Sequence, residues 1–271
     1  MAYNVNNLGC VMNRNLRMTL AVAMGFIGLA TQPVFAEDAG VLTITSGVDY
    51  SSGKYGSQNR TDITSVPVIG KYELNSWVFK LTVPYVSITG PGNVSPGIGK
   101  FKGSTTTKRT TESGLGDIVA AATYNLYNGS NGGPAVDLTG KVKFGTADDK
   151  KGLGTGKNDY IGLVDLYQSF GDFTALGTIG YRVYGDTNSA PLDNVFFGSV
   201  GGSYKIVPGT SAGIIYDYRP AITRNGSAIS EATAFVSHKF SDNWKSQAYL
   251  VKGFSNGSPD YGVGALVSYV F

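Results

Sequence analysis

The chain ends in Tyr261-Gly-Val-Gly-Ala-Leu-Val-Ser-Tyr-Val-Phe271, and this stretch decides the fold. Side chains alternate between the two faces of a strand, so every second residue counted back from the end shares one face. That face is continuously apolar or aromatic and consists of Phe271, Tyr269, Val267, Ala265 and Val263. A strand of about ten residues with one apolar face is long enough to cross a bilayer as part of a β-barrel. The stretch therefore predicts the closing strand of a transmembrane barrel.

The same alternation recurs along the chain from Val41 onward, with no convincing helical period of 3.6 residues. Turn residues separate the alternating runs. We predict twelve strands, at 41–51, 62–73, 77–89, 115–127, 135–146, 159–170, 173–185, 195–206, 210–220, 231–240, 244–254 and 261–271. An even number of strands is what single-chain bacterial barrels have.

The connections between these strands alternate in length. Short ones lie at 74–76, 128–134, 171–172, 207–209 and 241–243, and longer ones lie between them at 52–61, 90–114, 147–158, 186–194, 221–230 and 255–260. Short turns on one side and long loops on the other are typical of an outer-membrane barrel, with both chain ends on the periplasmic side. The sequence therefore predicts an all-β, twelve-stranded antiparallel transmembrane β-barrel. A soluble β-sandwich that buries the same apolar faces is the alternative.

The first 36 residues have the features of a signal peptide. Arg14 and Arg17 precede an apolar run at 18–30, and Val34-Phe-Ala36 suits signal peptidase. We expect a signal peptide at 1–36 and a barrel domain at 37–271. The alternative is an N-terminal anchor that is retained.

Composition narrows the classes of function. Removal of Arg14 and Arg17 from the 22 basic residues leaves 20 against 19 acidic ones, a net charge of +1, which does not favour nucleic-acid binding. The one cysteine, Cys10, lies in the predicted leader, so the mature chain has neither disulfides nor thiolate metal sites. Nothing after residue 36 approaches 18 continuous apolar residues, which excludes helical membrane spans. We expect no metal and no other cofactor.

Alternation also predicts which charged residues face the lumen. In addition to Asp49, Lys71 and Lys80, we place inside Asp117, Asp137, Lys141, Lys143, Asp165, Arg182, Lys205, Asp217 and Arg219. Dry burial of so many charges would be prohibitive, so they must pair or meet water. Our hypothesis is a narrow aqueous pore in which these residues set the local electric field. The alternative is a paired network that plugs the lumen.

The longest predicted loop, 90–114, carries Lys100, Lys102, Lys108 and Arg109 among Gly, Ser and Thr. These residues are candidates for a constriction if the loop folds inward. The loop could instead contact lipopolysaccharide phosphates. A solvated loop is the simplest interpretation.

Gly152-Leu-Gly-Thr-Gly-Lys-Asn158 has a superficial likeness to a phosphate-binding loop. It lacks the required four residues between the glycines that precede the Lys, and Asn158 replaces the Ser or Thr that would meet Mg²⁺. No helix is predicted after it. We interpret the stretch as a loop at the barrel mouth.

His238 is the one histidine, so any Ser-His-Asp catalysis would have to use it. It shares a face with Ala234, Val236 and Phe240, which places it on the lipid side. An outer-membrane phospholipase or deacylase is therefore an alternative function. Its neighbours form no recognisable nucleophile motif, and an imidazole at the lipid headgroups is the simpler interpretation. We expect no enzymatic activity and no catalytic residue.

Two stretches, 113–126 and 143–159, resemble the outer-membrane family named for a MetA-pathway of phenol degradation, whose members are called transporters. The matching motifs are Gly114-Leu-Gly-Asp117 and Gly152-Leu-Gly-Thr-Gly156. Gly145-Thr-Ala147 departs from the Pro-Thr-Gly that commonly follows Lys-Phe in the family. The terminal Phe271, with Tyr269 two before it, is similar to the C-terminal signature of outer-membrane barrels. The resemblance implies a Gram-negative outer-membrane location and a link to the catabolism of aromatic compounds.

These observations predict a porin-like channel for passive uptake of small solutes, which the resemblance suggests are aromatic or other organic compounds. A lipid-modifying enzyme and a structural or surface-binding barrel with a closed lumen remain alternatives. The expected partners are outer-membrane lipids, lipopolysaccharide, the solute, and the barrel-assembly machinery through the strand that ends at Phe271.

Overall fold

The computed structural model describes residues 20–21, 26–27, 40–92, 94–100, 108–129, 132–185, 191–224 and 226–271. Within the predicted signal peptide, Leu20–Ala21 and Phe26–Ile27 pair as two short antiparallel strands. The rest of that segment, including Cys10 and the predicted cleavage site after Ala36, lies outside the described residues.

From residue 41 the chain forms twelve long strands. They are β1 (Val41–Gly53), β2 (Thr61–Leu74), β3 (Trp77–Gly90), β4 (Thr110–Leu115 and Val119–Asn128), β5 (Ala135–Lys143), β6 (Asp159–Phe170), β7 (Phe173–Val183), β8 (Val195–Val207), β9 (Thr210–Arg219), β10 (Ile229–Lys239), β11 (Trp244–Gly253) and β12 (Tyr261–Val270). A small hairpin, Val94–Ser95 with Gly99–Lys100, lies between β3 and β4. In the ranges that the structure describes, no helix is both long and apolar enough to span a membrane.

Every strand pairs antiparallel with the next, and β12 pairs with β1, so the sheet closes into a barrel. In the closing pair Tyr261 lies opposite Ser52. The backbone N–H of Phe271 donates to the carbonyl of Leu42 at 2.9 Å, so the hydrogen bonding continues to the last residue. The predicted twelve-stranded antiparallel barrel and its closing strand are confirmed.

The largest departure from the predicted strands is in β4, which is interrupted at 116–118. There the N–H of Gly116 donates to the carbonyl of Pro84 at 2.8 Å. The hydroxyl of Thr146 donates to the Gly116 carbonyl at 3.0 Å and accepts from the Ile118 N–H at 2.9 Å. These contacts also explain why β5 ends at Lys143 rather than at 146, because the residues that follow hold the interruption in place.

The connections alternate as predicted. The short ones are 75–76, 129–134, 171–172, 208–209 and 240–243, and they define the short-turn end of the barrel. The long ones are 54–60, 91–109, 144–158, 184–194, 220–228 and 254–260, and they define the long-loop end. This regularity follows from the up-and-down order of the strands, in which successive connections return to opposite ends.

The outer surface of the barrel is apolar, as the alternation predicts. Large exposed side chains include Leu126, Ile179, Phe196, Val200, Ile214 and Leu250. Aromatic rings gather at the short-turn end, where Trp77 lies 4.9 Å from Tyr124 and Trp244 lies 4.9 Å from Tyr269, between ring centroids. Such a belt suits the boundary between lipid tails and headgroups.

Candidate functional site

The opposite faces of the strands turn eleven of the twelve charged residues that we predicted for the lumen away from the lipid side. Six are buried, namely Asp137, Lys141, Lys143, Asp165, Arg182 and Arg219. Five are partly buried, namely Asp49, Lys71, Lys80, Asp117 and Asp217. The twelfth, Lys205, is exposed at the short-turn end, next to a register shift between Lys205 and Val207.

Four of the cations lie along one line of paired residues, which we name the basic row: Lys71, Lys80, Lys141 and Arg182. Lys71 lies directly opposite Lys80 in the β2–β3 pair. Ala121 connects Lys80 to Lys141, and Ile161 connects Lys141 to Arg182. The row starts near the short-turn end of β2 and reaches the long-loop end of β7, because it follows the hydrogen bonds of tilted strands.

Four carboxylates form a second line, which we name the acidic row: Asp137, Asp165, Asp217 and Glu231. Asp137 lies opposite Asp165, and Asp217 lies opposite Glu231. Thr178 and Ser199 connect the two pairs. This row also climbs from the short-turn end, at β5, to the long-loop end, at β10.

The two rows are separated by four residues along each strand that they share. On β5 this is the step from Lys141 to Asp137, or roughly 13 Å at the usual strand rise. One uncharged line of residues lies between the rows on β5 to β8, namely Thr139, Leu163, Gly180 and Phe197. Their opposite charges therefore remain spatially distinct along the wall.

At the long-loop end, by contrast, charges are tied together in what we name the mouth network: Asp117, Lys143, Asp159 and Arg182. Lys143 Nζ lies 2.6 Å from Asp117 and 3.5 Å from Asp159, and Arg182 Nη2 lies 2.6 Å from Asp159. Asp159 is 0% exposed, so its charge depends on these partners.

The mouth network also anchors loops. Lys143 Nζ donates to the carbonyl of Lys157 at 3.0 Å, and Asp117 accepts from the N–H of Ala147 at 3.1 Å. Both loop residues belong to the connection 144–158, which contains the glycine-rich stretch that we interpreted as a mouth loop. No helix follows that stretch, since β6 begins at Asp159.

Apolar side chains from the loops cover the mouth. Tyr55, Val94 and Leu153, from three different connections, are buried together with Ile63 and Val86 of the wall. Burial also raises the pKa of the Tyr55 hydroxyl above its ordinary value. The long-loop end of the lumen is therefore narrowed by packed loops.

Within the connection 91–109, the described hairpin at 94–100 folds inward. Ile98 packs with Tyr184, Leu192 and Ile222, and the carbonyl of Gly97 accepts from Arg219 Nη1 at 2.8 Å. The inward fold is hard to predict from a sequence rich in Gly, Ser and Thr, because the contacts depend on isolated apolar residues such as Ile98.

The basic residues that we predicted for a constriction in this loop are placed elsewhere or not described. Lys108 is exposed, and Arg109 makes an ion pair with Asp62 of β2. For Lys100 the structure describes the backbone alone, and Lys102 lies outside the described residues.

Deeper in the lumen, seven buried apolar residues form what we name the inner apolar cluster: Ile69, Tyr167, Leu176, Ile215, Phe235, Tyr249 and Leu266. Two of its rings lie flat against glycines of the neighbouring strand. A Cβ atom at Gly213 would lie 2.5 Å from Phe235 Cζ, and one at Gly264 would lie 2.3 Å from Tyr249 Cζ. The glycines thus let large rings lie against the wall.

Several buried polar atoms in the lumen have no hydrogen-bond partner within the described part of the chain. They include carboxylate oxygens of Asp49, Asp165 and Asp217, both side-chain polar atoms of Gln247, the Tyr249 hydroxyl and guanidinium nitrogens of Arg182 and Arg219. An unsatisfied buried polar group costs about 1–3 kcal/mol, and more if it is charged. Polar groups in such numbers require water or a polar solute.

His238 contacts a hydroxyl group and an aromatic ring. Its Nδ1 lies 2.8 Å from the Thr210 hydroxyl, and its ring meets the ring of Phe240 edge-on at 4.6 Å. It lies close to the short turn 240–243, and its imidazole is hydrogen-bonded to neither a serine nor a carboxylate among the described residues. No group of metal-ligating side chains occurs among those residues either.

Sequence reasoning missed several charged residues of the inner wall, among them Asp159, Glu231 and Lys245. Asp159 and Lys245 are buried, and Glu231 belongs to the acidic row. Parity could have found them, because Asp159 shares the face of Asp165 and Glu231 shares that of Phe235. Their positions at strand ends made their direction harder to predict.

Comparisons with known proteins agree with this architecture. Residues 45–271 match the family described as "Putative MetA-pathway of phenol degradation". An outer membrane channel from Pseudomonas putida F1 superposes with a TM-score of 0.59 at 16% identity, over 86% of this chain and 94% of that one. The β domain of the Bordetella autotransporter Brka gives a TM-score of 0.50 at 12% identity, over 87% of this chain and 100% of that one. At these identities the likeness shows the fold alone. Among curated proteins, none matches the sequence.

Proposed function

The chain belongs to this phenol-degradation family, and from that premise we propose that it is a passive channel for small organic solutes in the outer membrane of a Gram-negative bacterium. The proposal includes no chemical reaction and no cofactor. The barrel concentrates its charged side chains and its unpartnered polar atoms in the lumen.

The observation that carries the proposal is the set of unpartnered polar atoms along the inner wall. Asp165 is 1% exposed, and one of its carboxylate oxygens has no partner in the described part of the chain. A lumen plugged by paired charges would satisfy such groups internally, since dry unpaired charges are prohibitive. A lumen that exchanges water and polar solutes satisfies them from outside.

The residues that line the lumen also suggest which class of solute passes through it. Twelve strands lie between small barrels filled by side chains and porins with wide channels, so the passage is narrow. Charged rows and the inner apolar cluster offer a solute both polar and apolar contacts. That mixture suits small organic molecules with one polar group, and the description of the family is consistent with aromatic ones.

The proposal includes an orientation and partners. Residues 1–36 direct export, the short-turn end faces the periplasm, and the β12 strand with Phe271 is recognised by the barrel-assembly machinery. At the outer rim, Arg60 pairs with Asp260 at 2.7 Å and Arg109 pairs with Asp62. We propose that such rim cations, Lys108 among them, contact lipopolysaccharide phosphates.

Single-channel recording tests this function. The protein, purified in detergent from the membranes of cells that express the full chain, is inserted into a planar bilayer under a salt gradient. We expect small, steady openings with a reversal potential different from zero, because the inner wall carries separated charges. A barrel that is folded, as shown by its heat-dependent mobility in gels, but never conducts or passes solutes into liposomes would contradict the proposal.

A further inference from the structure

Three buried guanidinium nitrogens near the mouth have no hydrogen-bond partner in the described part of the chain: Nε and Nη2 of Arg219 and Nε of Arg182. Arg182 still has a carboxylate partner in Asp159. Arg219, which is 1% exposed, makes no ion pair with a described carboxylate. Its Nη1 donates to two neutral acceptors, the Tyr184 hydroxyl at 2.7 Å and the Gly97 carbonyl at 2.8 Å.

The unused edge of Arg219 has a definite chemistry. Nε and Nη2 point in parallel from the planar guanidinium and match the two oxygens of a carboxylate. A guanidinium keeps its charge when it is buried, so a neutral acceptor compensates it only in part. The site is therefore incomplete without an anion.

An aromatic residue is a neighbour of Arg219 on the wall. The β8–β9 register, with Gly198 opposite Tyr218, places Arg219 next to Phe197. The ring of Phe197 lies flat over Gly180, since a Cβ atom there would come within 2.3 Å of its Cζ. Leu163 lies beyond Gly180 in the same line. Arg219, Phe197 and Leu163 thus lie close to one another on one wall.

We propose that Arg219 and Phe197 form a binding site for small aromatic carboxylates. The carboxylate accepts from Nε and Nη2 of Arg219, and the aromatic ring of the solute packs on Phe197 and Leu163. The site deepens the proposed function, because it names a solute class for the same lumen and rests on that function for the route of access.

The loop over the site takes part in recognition. The carbonyl of Gly97 occupies Nη1 of Arg219, and Ile98 and Tyr184 pack beside it. A carboxylate is a stronger acceptor than a carbonyl, because charge-assisted hydrogen bonds are about twice as strong as neutral ones. Since the solute accepts from Nε and Nη2, the Gly97 carbonyl keeps its hydrogen bond to Nη1 and holds the guanidinium in place.

Selectivity follows from the two halves of the site. A neutral aromatic amide leaves the cationic edge uncompensated, and acetate leaves the ring of Phe197 uncovered. Binding of benzoate, benzamide and acetate to the detergent-purified full-chain protein is measured by isothermal titration calorimetry. We expect benzoate to bind at least about tenfold more tightly than benzamide, since one charged hydrogen bond is sufficient for that ratio. We expect a similar ratio over acetate, because only benzoate buries an apolar ring on Phe197.

Two variants separate the contribution of the Arg219 guanidinium from that of the Phe197 ring. Arg219→Gln removes the fork and is expected to weaken benzoate binding by about tenfold or more. Gly180→Ala pushes the Phe197 ring off the wall and is expected to weaken benzoate binding but not acetate binding. Lys239→Gln, which removes a cation paired with Asp242 at an exposed short turn, is the control and is expected to bind benzoate as the unmodified protein does.

The proposal is wrong if benzamide or acetate binds as tightly as benzoate, or if Arg219→Gln folds and binds benzoate unchanged. If Arg219→Gln does not fold, Gly180→Ala and the three ligands decide the outcome. Conductance is recorded in parallel. A barrel that conducts without preferring benzoate keeps the channel function and overturns this site, and one that binds benzoate without conducting does the opposite.

Discussion

The mouth network and the acidic row use charge in different ways. In the mouth network, Asp159 is held between Lys143 and Arg182, with nitrogen–oxygen distances of 3.5 and 2.6 Å. In the acidic row, the equally buried Asp165 accepts a hydrogen bond from the Thr178 hydroxyl at 2.5 Å, and its second oxygen has no partner in the described ranges. The comparison teaches that burial alone does not assign a role to a charge. The first carboxylate organises loops, and the second keeps one oxygen without a partner among the described residues.

Asp159→Asn gives the sharpest test of this difference. Loss of Asp159 leaves the buried charge of Arg182 uncompensated, whereas Lys143 keeps Asp117 at 2.6 Å, and removal of one partner of a buried pair costs about 3–5 kcal/mol. We expect the free energy of unfolding, measured by urea titration of the barrel in detergent, to fall by about that amount.

The matched control is Asp165→Asn, which neutralises an equally buried carboxylate that makes no ion pair among the described residues. Its effect on stability is expected to be below about 1 kcal/mol, because it removes a desolvated charge rather than half of a pair. Equal losses of unfolding free energy in the two variants would contradict the distinction between the paired Asp159 and the unpaired Asp165.

For ion selectivity we expect the acidic row, rather than the mouth network, to give the large effect. The double variant Asp165→Asn with Asp217→Asn removes half of the acidic row, so the basic row dominates the lumen field. We expect the reversal potential under a salt gradient to shift toward anion preference. Lys80→Gln is expected to shift it toward cation preference, and Asp242→Asn, at an exposed turn, should leave it unchanged. No shift in the acidic-row double variant would show that these charges do not face the conducting path.

A smaller effect is expected from Gly264→Ala. The added methyl group collides with the ring of Tyr249, whose Cζ would lie 2.3 Å away, and turns the ring from the wall into the lumen. Since the change is one methyl group, we expect single-channel conductance to decrease by less than about twofold. Gly162→Ala, where no atom lies within 4 Å of a Cβ, is the control and should conduct normally.

The smallest effect should come from Arg109→Gln at the rim. Its ion pair with Asp62 is partly solvated, with the two side chains 42% and 24% exposed. Exposed pairs contribute at most about 1 kcal/mol, so the free energy of unfolding should change by less than that. A loss as large as that of Asp159→Asn would remove the distinction between rim and mouth.

The strands could be predicted because their information is local. Each carries its own two-residue alternation, and the bounds of β6 were predicted without error. The interruption of β4 could not be predicted from local sequence, because it is held by Thr146 and Pro84, which lie in other parts of the chain. The inward hairpin of 91–109 likewise depends on Ile98 meeting Tyr184 and Ile222.

The candidate site was predicted in part for the same reason. Parity assigns Lys141 or Asp165 to the lumen from one strand alone. It cannot say that Lys80 and Lys141 lie on one line and Asp137 and Asp165 on another, because a line requires the register of several strands. The mouth network was missed as a network, since Asp159 meets Arg182 only after β6 and β7 pair.

The oblique course of the two rows has a consequence for motion. On the shared strand β5 they are four residues apart, and both climb while they pass from strand to strand. A solute that stays beside favourable charge cannot travel straight along the axis, and it must turn as it advances. The two rows therefore wind around the inner wall in one direction, so a solute that followed either row would rotate as it advanced.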